Sequence, residues 1–484
     1  MKKIFSLFLL LIFTYPNGIN AQSTSGKIDK LIKSYFETEK FMGTVLVAEN
    51  GKILYRKSFG YANVELKVPN SPEGKFRIAS ITKTFTALLT MQLIQEGKLS
   101  LDNKISDFLP YYRKDIGERV TVHHLLTHSS GIPNYLQIPG FMPDQIKFPM
   151  KSIEEFIKAF CSNDLQFSPG EKFVYNNSGY AILGAIIEKV TGQTFEEALK
   201  KRILEPAGMK DSGLDKMDLI LENRAYGYVR NLSGGFQPAP YWDMSTAYTA
   251  GQMYSTADDM FKYHQALLGE KLLSNVFKEK MFTKYYPAFG NYYGYGWMLR
   301  DLAVKEKSLV INSHEGGLPG FNLYFARIPE KNQVAVILNN TSDAPLKEIS
   351  DNIFKILNGL EFKLPVKSLA REMLKIIYTS GSEAAIKFFK DKKATEKDRF
   401  EIVERDLNKA GYDLLAQKKL KEAVSVFNLM TEEFPGSGNA FDSLAEGYLT
   451  MGDKENAVKN YQKSIELDPK NTNAADMLKK LKNM

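Results

Sequence analysis

The chain has 484 residues, 44% hydrophobic and 25% charged, which excludes a disordered polypeptide and leaves room for two or three domains with ample core. Its formal charge of +8 comes from lysines interspersed with acids along the chain, and the lack of a basic stripe or stacking motif argues against a nucleic-acid partner. Cys161 is the sole cysteine, so no internal disulfide is possible and no cysteine near the start can carry a lipid.

Residues 1–21 read as a signal peptide. Lys2 and Lys3 form the basic start, Ile4 to Phe13 the apolar run, and Ile19-Asn20-Ala21 a cleavage site before Gln22. The run is too short to span a membrane well, so the expectation is a periplasmic or secreted protein. From Gly43, Thr44 to Ala48 and Lys52 to Arg56 flank Asn50-Gly51, the signal of a β-hairpin. A helix is predicted over 76–96 with Gly97 as its stop, because Ile81, Phe85, Leu88 and Leu89 recur at helical spacing as a buried stripe. Ser80 and Lys83 then stand one turn apart on one side. A serine needs a base to become a nucleophile, and a lysine in a dry site can lose its proton and act as one.

Helices and long connections dominate to about residue 280. Within them, His124 and His128 have a zinc-capable i, i+4 spacing, but Leu125 stands where the metalloprotease pattern needs Glu. The pair reads better as buried structural histidines, and Cys161 as a packed thiol. Further on, Ser168-Pro-Gly leads to Tyr175-Asn176-Asn177. A helix begins near Tyr180, capped by Asn177 or Ser178, so Tyr175 projects at a helix start. A phenol lowered in pKa by nearby cations could exchange protons with Ser80 there.

Strands return at Ser308 to Ser313, Phe321 to Ile328 and Val334 to Asn339, and a helix follows from Leu346 to Leu357. At the end of the first of these strands, His314-Glu315-Gly316-Gly317 forms a glycine-rich turn whose N–H groups could hold an oxyanion. His314 could bind a substrate carboxylate. Strands at both ends around a helical middle imply one antiparallel sheet built from both termini, with a cleft against a helical lobe. Beyond Leu364-Pro365, Leu407, Gly411, Ala423, Phe427 and Pro435 recur 34 residues later as Phe441, Ala445, Ala457, Tyr461 and Pro469. Period and residue types match tetratricopeptide repeats. Ser368 to Lys390 could supply a degenerate extra pair and Ala474 to Lys482 a capping helix.

Each stretch alone has a plain structural explanation. Together, Ser80-x-x-Lys83, Tyr175-x-Asn177 and His314-x-Gly316, in this order, resemble the serine β-lactamase and penicillin-binding-protein-like hydrolases of the class C-like branch, over roughly residues 25–360. Thr121 to Pro133, Tyr254 to Asp258 and Tyr293-Gly-Tyr-Gly-Trp297 resemble further segments of that family. The resemblance implies an α/β, two-lobed β-lactamase-like fold: an antiparallel sheet flanked by helices, plus a helical lobe. An all-α tetratricopeptide segment follows. The domain limits are then 1–21, 22–363 and 364–484, with repeats at about 404–437 and 438–471. It also implies Ser80 as the acylated nucleophile, Lys83 as its partner and Tyr175 as proton shuttle. Asn177, His314 and Gly316 would bind substrate, and the N–H groups of Ser80 and Gly317 would form the oxyanion hole, without metal or cofactor.

The third motif departs from the Lys-Thr-Gly usual in β-lactamases and D,D-peptidases. A histidine there resembles the esterase and D-aminopeptidase members, and Glu315 would disfavour anionic substrates. The expected function is an exported hydrolase of small esters, peptides or peptidoglycan-derived substrates, with the repeats either bracing the front domain or forming a groove for a protein or peptide. The alternatives are a β-lactamase proper, or a catalytically weak scaffold working through its repeats. Whether Lys83 or Tyr175 is the acylation base stays open at this level.

Overall fold

The computed structural model describes residues 17–142, 145–231 and 234–482. The expected leader lies, up to residue 16, outside the described residues, and no described helix is long and apolar enough to cross a membrane. The strands of the main sheet are β1 (Gly43–Glu49), β2 (Lys52–Phe59), β3 (Tyr286–Ala288), β4 (Asn291–Tyr293), β5 (Met298–Val304), β6 (Lys307–Leu318), β7 (Phe321–Ile328) and β8 (Gln333–Asn339). Helices named below are α1 (Asn17–Glu37), α2 (Thr82–Gln95), α3 (Asn177–Thr191), α4 (Ala257–Leu268), α5 (Asn275–Met281), α6 (Leu346–Leu357), α7 (Leu369–Thr395), α8 (Glu404–Ala416), α9 (Leu420–Glu433), α10 (Gly438–Met451), α11 (Lys454–Leu467) and α12 (Thr472–Lys482).

The hairpin forms where Asn50 and Gly51 both take left-handed φ values, 51° and 75°, the pair of angles that a tight two-residue turn between twisted strands requires. The first and last strands of the sheet in sequence then join, since β1 pairs antiparallel with β8 from Gly43↔Asn339 to Glu49↔Gln333. The sheet runs β3-β4-β5-β6-β7-β8-β1-β2. Along β7 the period of two sorts side chains by face. Tyr324, Ala326 and Ile328 join Ile28, Leu31 and Tyr35 of α1 and Ile349 and Phe354 of α6. Phe321, Leu323 and Phe325 join the core of the helical lobe, with α2 and α4.

The segment containing Ser80 differs from the predicted single helix. Phe76–Arg77 is a short strand paired with Tyr254–Ser255, Ala79–Ile81 is one 3₁₀ turn, and α2 starts only at Thr82. Nor does α2 present a stripe, because every residue from Thr82 to Leu93 is buried. The periodicity missed this because threonines pass as interior residues once their hydroxyls are satisfied. Thr86 Oγ1 donates to the Thr249 carbonyl at 2.7 Å and Thr90 Oγ1 to the Thr86 carbonyl at 2.9 Å. The third motif is likewise not a turn. Strand β6 runs on to Leu318, and the reversal falls at Pro319-Gly320. Its partner β5 ends the pairing at Met298↔Ser313, so β6 has a free edge from His314 onward.

The C-terminal part is helical. Helices α8 to α10 pack with α7 around Leu407, Ala410, Phe427 and Leu444, and Ala445, Ala457 and Tyr461 gather with Ala474 of α12. Gly411 lies against the ring of Phe427, where a Cβ would come within 2.2 Å of Cε1. Helix α7 is broken at Gly381 (φ +82°), in the stretch expected to supply an extra helix pair. Ion pairs Lys40–Glu401 (2.7 Å) and Lys409–Asp343 (2.6 Å) tie this part to the sheet domain.

Helix α2 is the axis of the lobe, and Phe85 stacks on Tyr263 of α4 with centroids 4.1 Å apart. Phe85→Ala is expected to cost about 3–5 kcal/mol, read as a lower midpoint in chemical denaturation.

Candidate active site

Ser80 is held out of the helix by the 3₁₀ turn, behind Ala79, whose φ of +48° is unusual for a residue with a Cβ. Lys83 follows in the first turn of α2 and is fully buried. Its Nζ lies 3.0 Å from Ser80 Oγ, 2.8 Å from Asn177 Oδ1 and 2.8 Å from the Ala250 carbonyl. The last two are carbonyl oxygens and only accept. A neutral amine spends its two hydrogens on them, which leaves its lone pair for the hydroxyl of Ser80. Burial lowers the Lys83 pKa well below the ordinary lysine value, the direction that frees this lone pair. The Ala250 carbonyl, in the short helix Tyr248–Gly251, carries no signal in the sequence because any residue supplies one.

Tyr175 is hydrogen-bonded to Ser80, and its ring lies 4.9 Å from Lys83 Nζ. The expectation of a phenol lowered by cations is corrected. His128, Phe289 and His314 enclose the ring, and burial raises its pKa despite the Ser80 hydrogen bond. The helix cap is also corrected. Asn176 is the N-cap of α3, its Oδ1 accepting from Gly179 N at 2.8 Å, which leaves Asn177 free to face Lys83. Asn177 Nδ2 points to Asn134 Oδ1 at 3.4 Å, a long bond that a substrate carbonyl can replace.

His314 is 1% exposed, and both its ring nitrogens are engaged. Nδ1 faces the Glu315 carbonyl at 2.6 Å, so it carries the proton, and Nε2 faces the Tyr293 hydroxyl at 3.1 Å. The same hydroxyl meets His128 Nε2 at 3.1 Å, while His128 Nδ1 accepts from Asn176 N–H at 3.1 Å. With both rings neutral, one assignment satisfies every atom of the two histidines. Asn176 N–H donates to His128, His128 Nε2–H to Tyr293, Tyr293 O–H to His314, and His314 Nδ1–H to Glu315. Burial, with Lys83 nearby, pushes His314 down to about 3. The expectation that His314 grips a substrate carboxylate is therefore corrected, because it is neutral and has no free N–H. Glu315 points to the opposite face, where it lines a cavity with Lys347 and Asp351, yet its charge still reaches the site and helps to raise Tyr175.

Gly316 is required by close backbone approach, since a Cβ there would stand 2.3 Å from the Ile78 carbonyl oxygen. A Cβ on Gly317 would meet nothing within 4 Å. The free edge of β6 thus abuts the turn that carries Ser80. His124 Nδ1 accepts from Thr121 N–H at 3.2 Å, so His124 serves a helix start and His128 the chain above. Burial pushes the Cys161 thiol up to about 12.

Tyr293→Phe leaves the His128 donor and the His314 acceptor facing each other unpaired. It is expected to destabilise the fold by about 1–3 kcal/mol and to lower kcat on an ester with little change in KM. Gly316→Ala should abolish turnover while the circular dichroism spectrum stays native.

A β-lactamase family model matches residues 28–358. Penicillin-binding protein 4* of Bacillus subtilis is 31% identical over 337 residues, 66% of this chain and 73% of that protein. Among solved structures, the octameric penicillin-binding protein homologue from Pyrococcus abyssi is 34% identical with TM-score 0.61, over 73% of this chain and 81% of that one. The D-amino acid amidase from Ochrobactrum anthropi, complexed with L-phenylalanine amide, is 25% identical with TM-score 0.59, over 71% of this chain and 99% of that one.

Proposed function

The chain belongs to the β-lactamase family of serine hydrolases, and we propose that within it this protein is an esterase or D-peptidase working through an acyl-enzyme on Ser80. The observation that carries this reading is the buried Lys83 amine, spent on two carbonyl oxygens and facing the Ser80 hydroxyl at 3.0 Å. Lys83 takes the Ser80 proton as Oγ attacks the substrate carbonyl. Tyr175, kept as a phenol by burial, donates its proton to the leaving oxygen or nitrogen and recovers one from Lys83. The N–H groups of Ser80 and Gly317 receive the oxyanion, and Asn177 holds the substrate amide. Water then attacks the ester, delivering its proton back through the same groups.

The substrates are neutral around the scissile bond, because the third motif supplies a neutral His314 where a lysine would offer a fixed cation. The D-amino acid amidase relative supports amides of D-amino acids among the substrates. Residues 1–21 act as an export signal in this reading, giving a periplasmic or secreted protein. The two helix pairs α8–α9 and α10–α11, with their 34-residue period, are a tetratricopeptide segment whose groove takes a peptide or protein partner.

Wild type should hydrolyse a p-nitrophenyl ester and a D-alanine anilide faster than a cephalosporin, and Ser80→Ala should be inactive on all three. Preference for the cephalosporin would make the protein a β-lactamase proper. Lys83→Arg, whose guanidinium stays protonated, should lower kcat by at least about a hundredfold.

The pH dependence has a definite sign. A base depressed in pKa works when deprotonated, so acylation falls as pH drops through the lowered Lys83 value. On the alkaline side Tyr175 is raised, so the rate should hold beyond the ordinary tyrosine value near 10. A stopped-flow pH profile whose alkaline fall begins below that value would contradict the assigned roles.

A further inference from the structure

Arg327 on β7 is 1% exposed, and neither its Nε nor its Nη1 has a hydrogen-bond partner. It stands opposite Asn312 of β6 in the sheet register and faces the helical lobe, its guanidinium 5.8 Å from the Phe282 ring centre. A buried guanidinium with idle donors is the exception in folded proteins. Burial pushes Arg327 down only to about 10, so it remains a cation at neutral pH.

The surroundings add positive charge. Lys278 of α5 donates to the Leu268 and Gly269 carbonyls at 3.1 and 2.9 Å, which leaves one ammonium hydrogen unspent. Arg327 adds to the burial that depresses both Lys278 and His264 of α4, as close basic groups must, while Glu270 pulls Lys278 the other way. Arg327, Lys278, Asn312 and Phe282 line one cavity of about 620 Å³ with Glu279 and Glu330, both of them exposed side chains. None of Ser80, Lys83, Tyr175 or Asn177 lines it.

We propose that this cavity, between strands β6–β7 and helices α4–α5, is a second binding site that takes a small oxyanion, a carboxylate or a phosphate, on Arg327. The paired oxygens of such a group match the donor geometry of a guanidinium. Lys278 supplies a second charge, and Asn312 a side-chain amide. The site is distinct from the acylation centre, although Asn312 is two residues from His314 on the same strand.

The test uses the full chain in chloride at constant ionic strength, with inorganic phosphate or acetate replacing chloride, followed by thermal midpoint and titration calorimetry. One of the two anions should raise the midpoint saturably, and which one does so separates a phosphate site from a carboxylate site. Arg327→Met should weaken binding by at least about tenfold, Lys278→Met by about threefold, and Ser80→Ala should bind like wild type. Lys278→Met sits on a partly exposed side chain, so it reports even where Arg327→Met fails to fold. No saturable shift over chloride would overturn the site, as would unchanged affinity in the lysine variant. So would Glu279→Gln lowering the midpoint and creating phosphate binding absent from wild type, since Glu279 would then be the anion that Arg327 holds.

Discussion

The structure depends on one amine kept in a dry place. Lys83 has no solvent exposure, and its three neighbours are a hydroxyl and two carbonyl oxygens. Taking an ammonium out of water without a carboxylate partner is costly, and burial accordingly draws the Lys83 pKa well below the ordinary lysine value. Every other feature of the site preserves that condition. Helix α2 is wrapped on all sides, the short helix Tyr248–Gly251 brings a backbone carbonyl instead of an acid, and Asn177 offers a neutral amide oxygen.

The same economy of charge extends to the neighbouring polar groups. His128, Tyr293 and His314 are all buried, yet each donor meets an acceptor and each ring is neutral. A chain satisfied at every atom contributes rigidity without adding a charge that would compete with Lys83. It also joins three separate pieces: the backbone beside Tyr175, the end of β4, and the free edge of β6. The distance between the phenol and that edge is thus set by hydrogen bonds and not by packing alone.

Arg327 breaks this pattern. On β7, opposite Asn312, a guanidinium that stays protonated at neutral pH is buried with two idle nitrogens. A lysine can respond to desolvation by neutralising, whereas an arginine must find an anion. That contrast separates the Lys83 site, whose amine meets only neutral oxygens, from the cavity lined by Arg327, where two guanidinium nitrogens stay idle.

Much of this was legible in the sequence because it is local. The Asn50-Gly51 hairpin, the strands from 307 to 339, the helix Leu346–Leu357 and the 34-residue period all follow from residue types at short spacing. So does the one-turn separation of Ser80 and Lys83, which a helix start imposes whatever surrounds it. What only the tertiary structure decided is the state of those groups. Tyr175 is raised where cations were expected to lower it, and His314 is a neutral link where a carboxylate binder was expected. The glycines at 316 and 317 lie in a strand and not in a turn. The free edge exists because β5 stops pairing at Ser313, an event of sheet register. Burial and hydrogen-bond partners come from segments tens to hundreds of residues apart, such as His128, Tyr293 and His314, so no local pattern encodes them. The sequence by itself determined which chemical groups would meet at the site. Only the packed chain decided which of them would carry a proton.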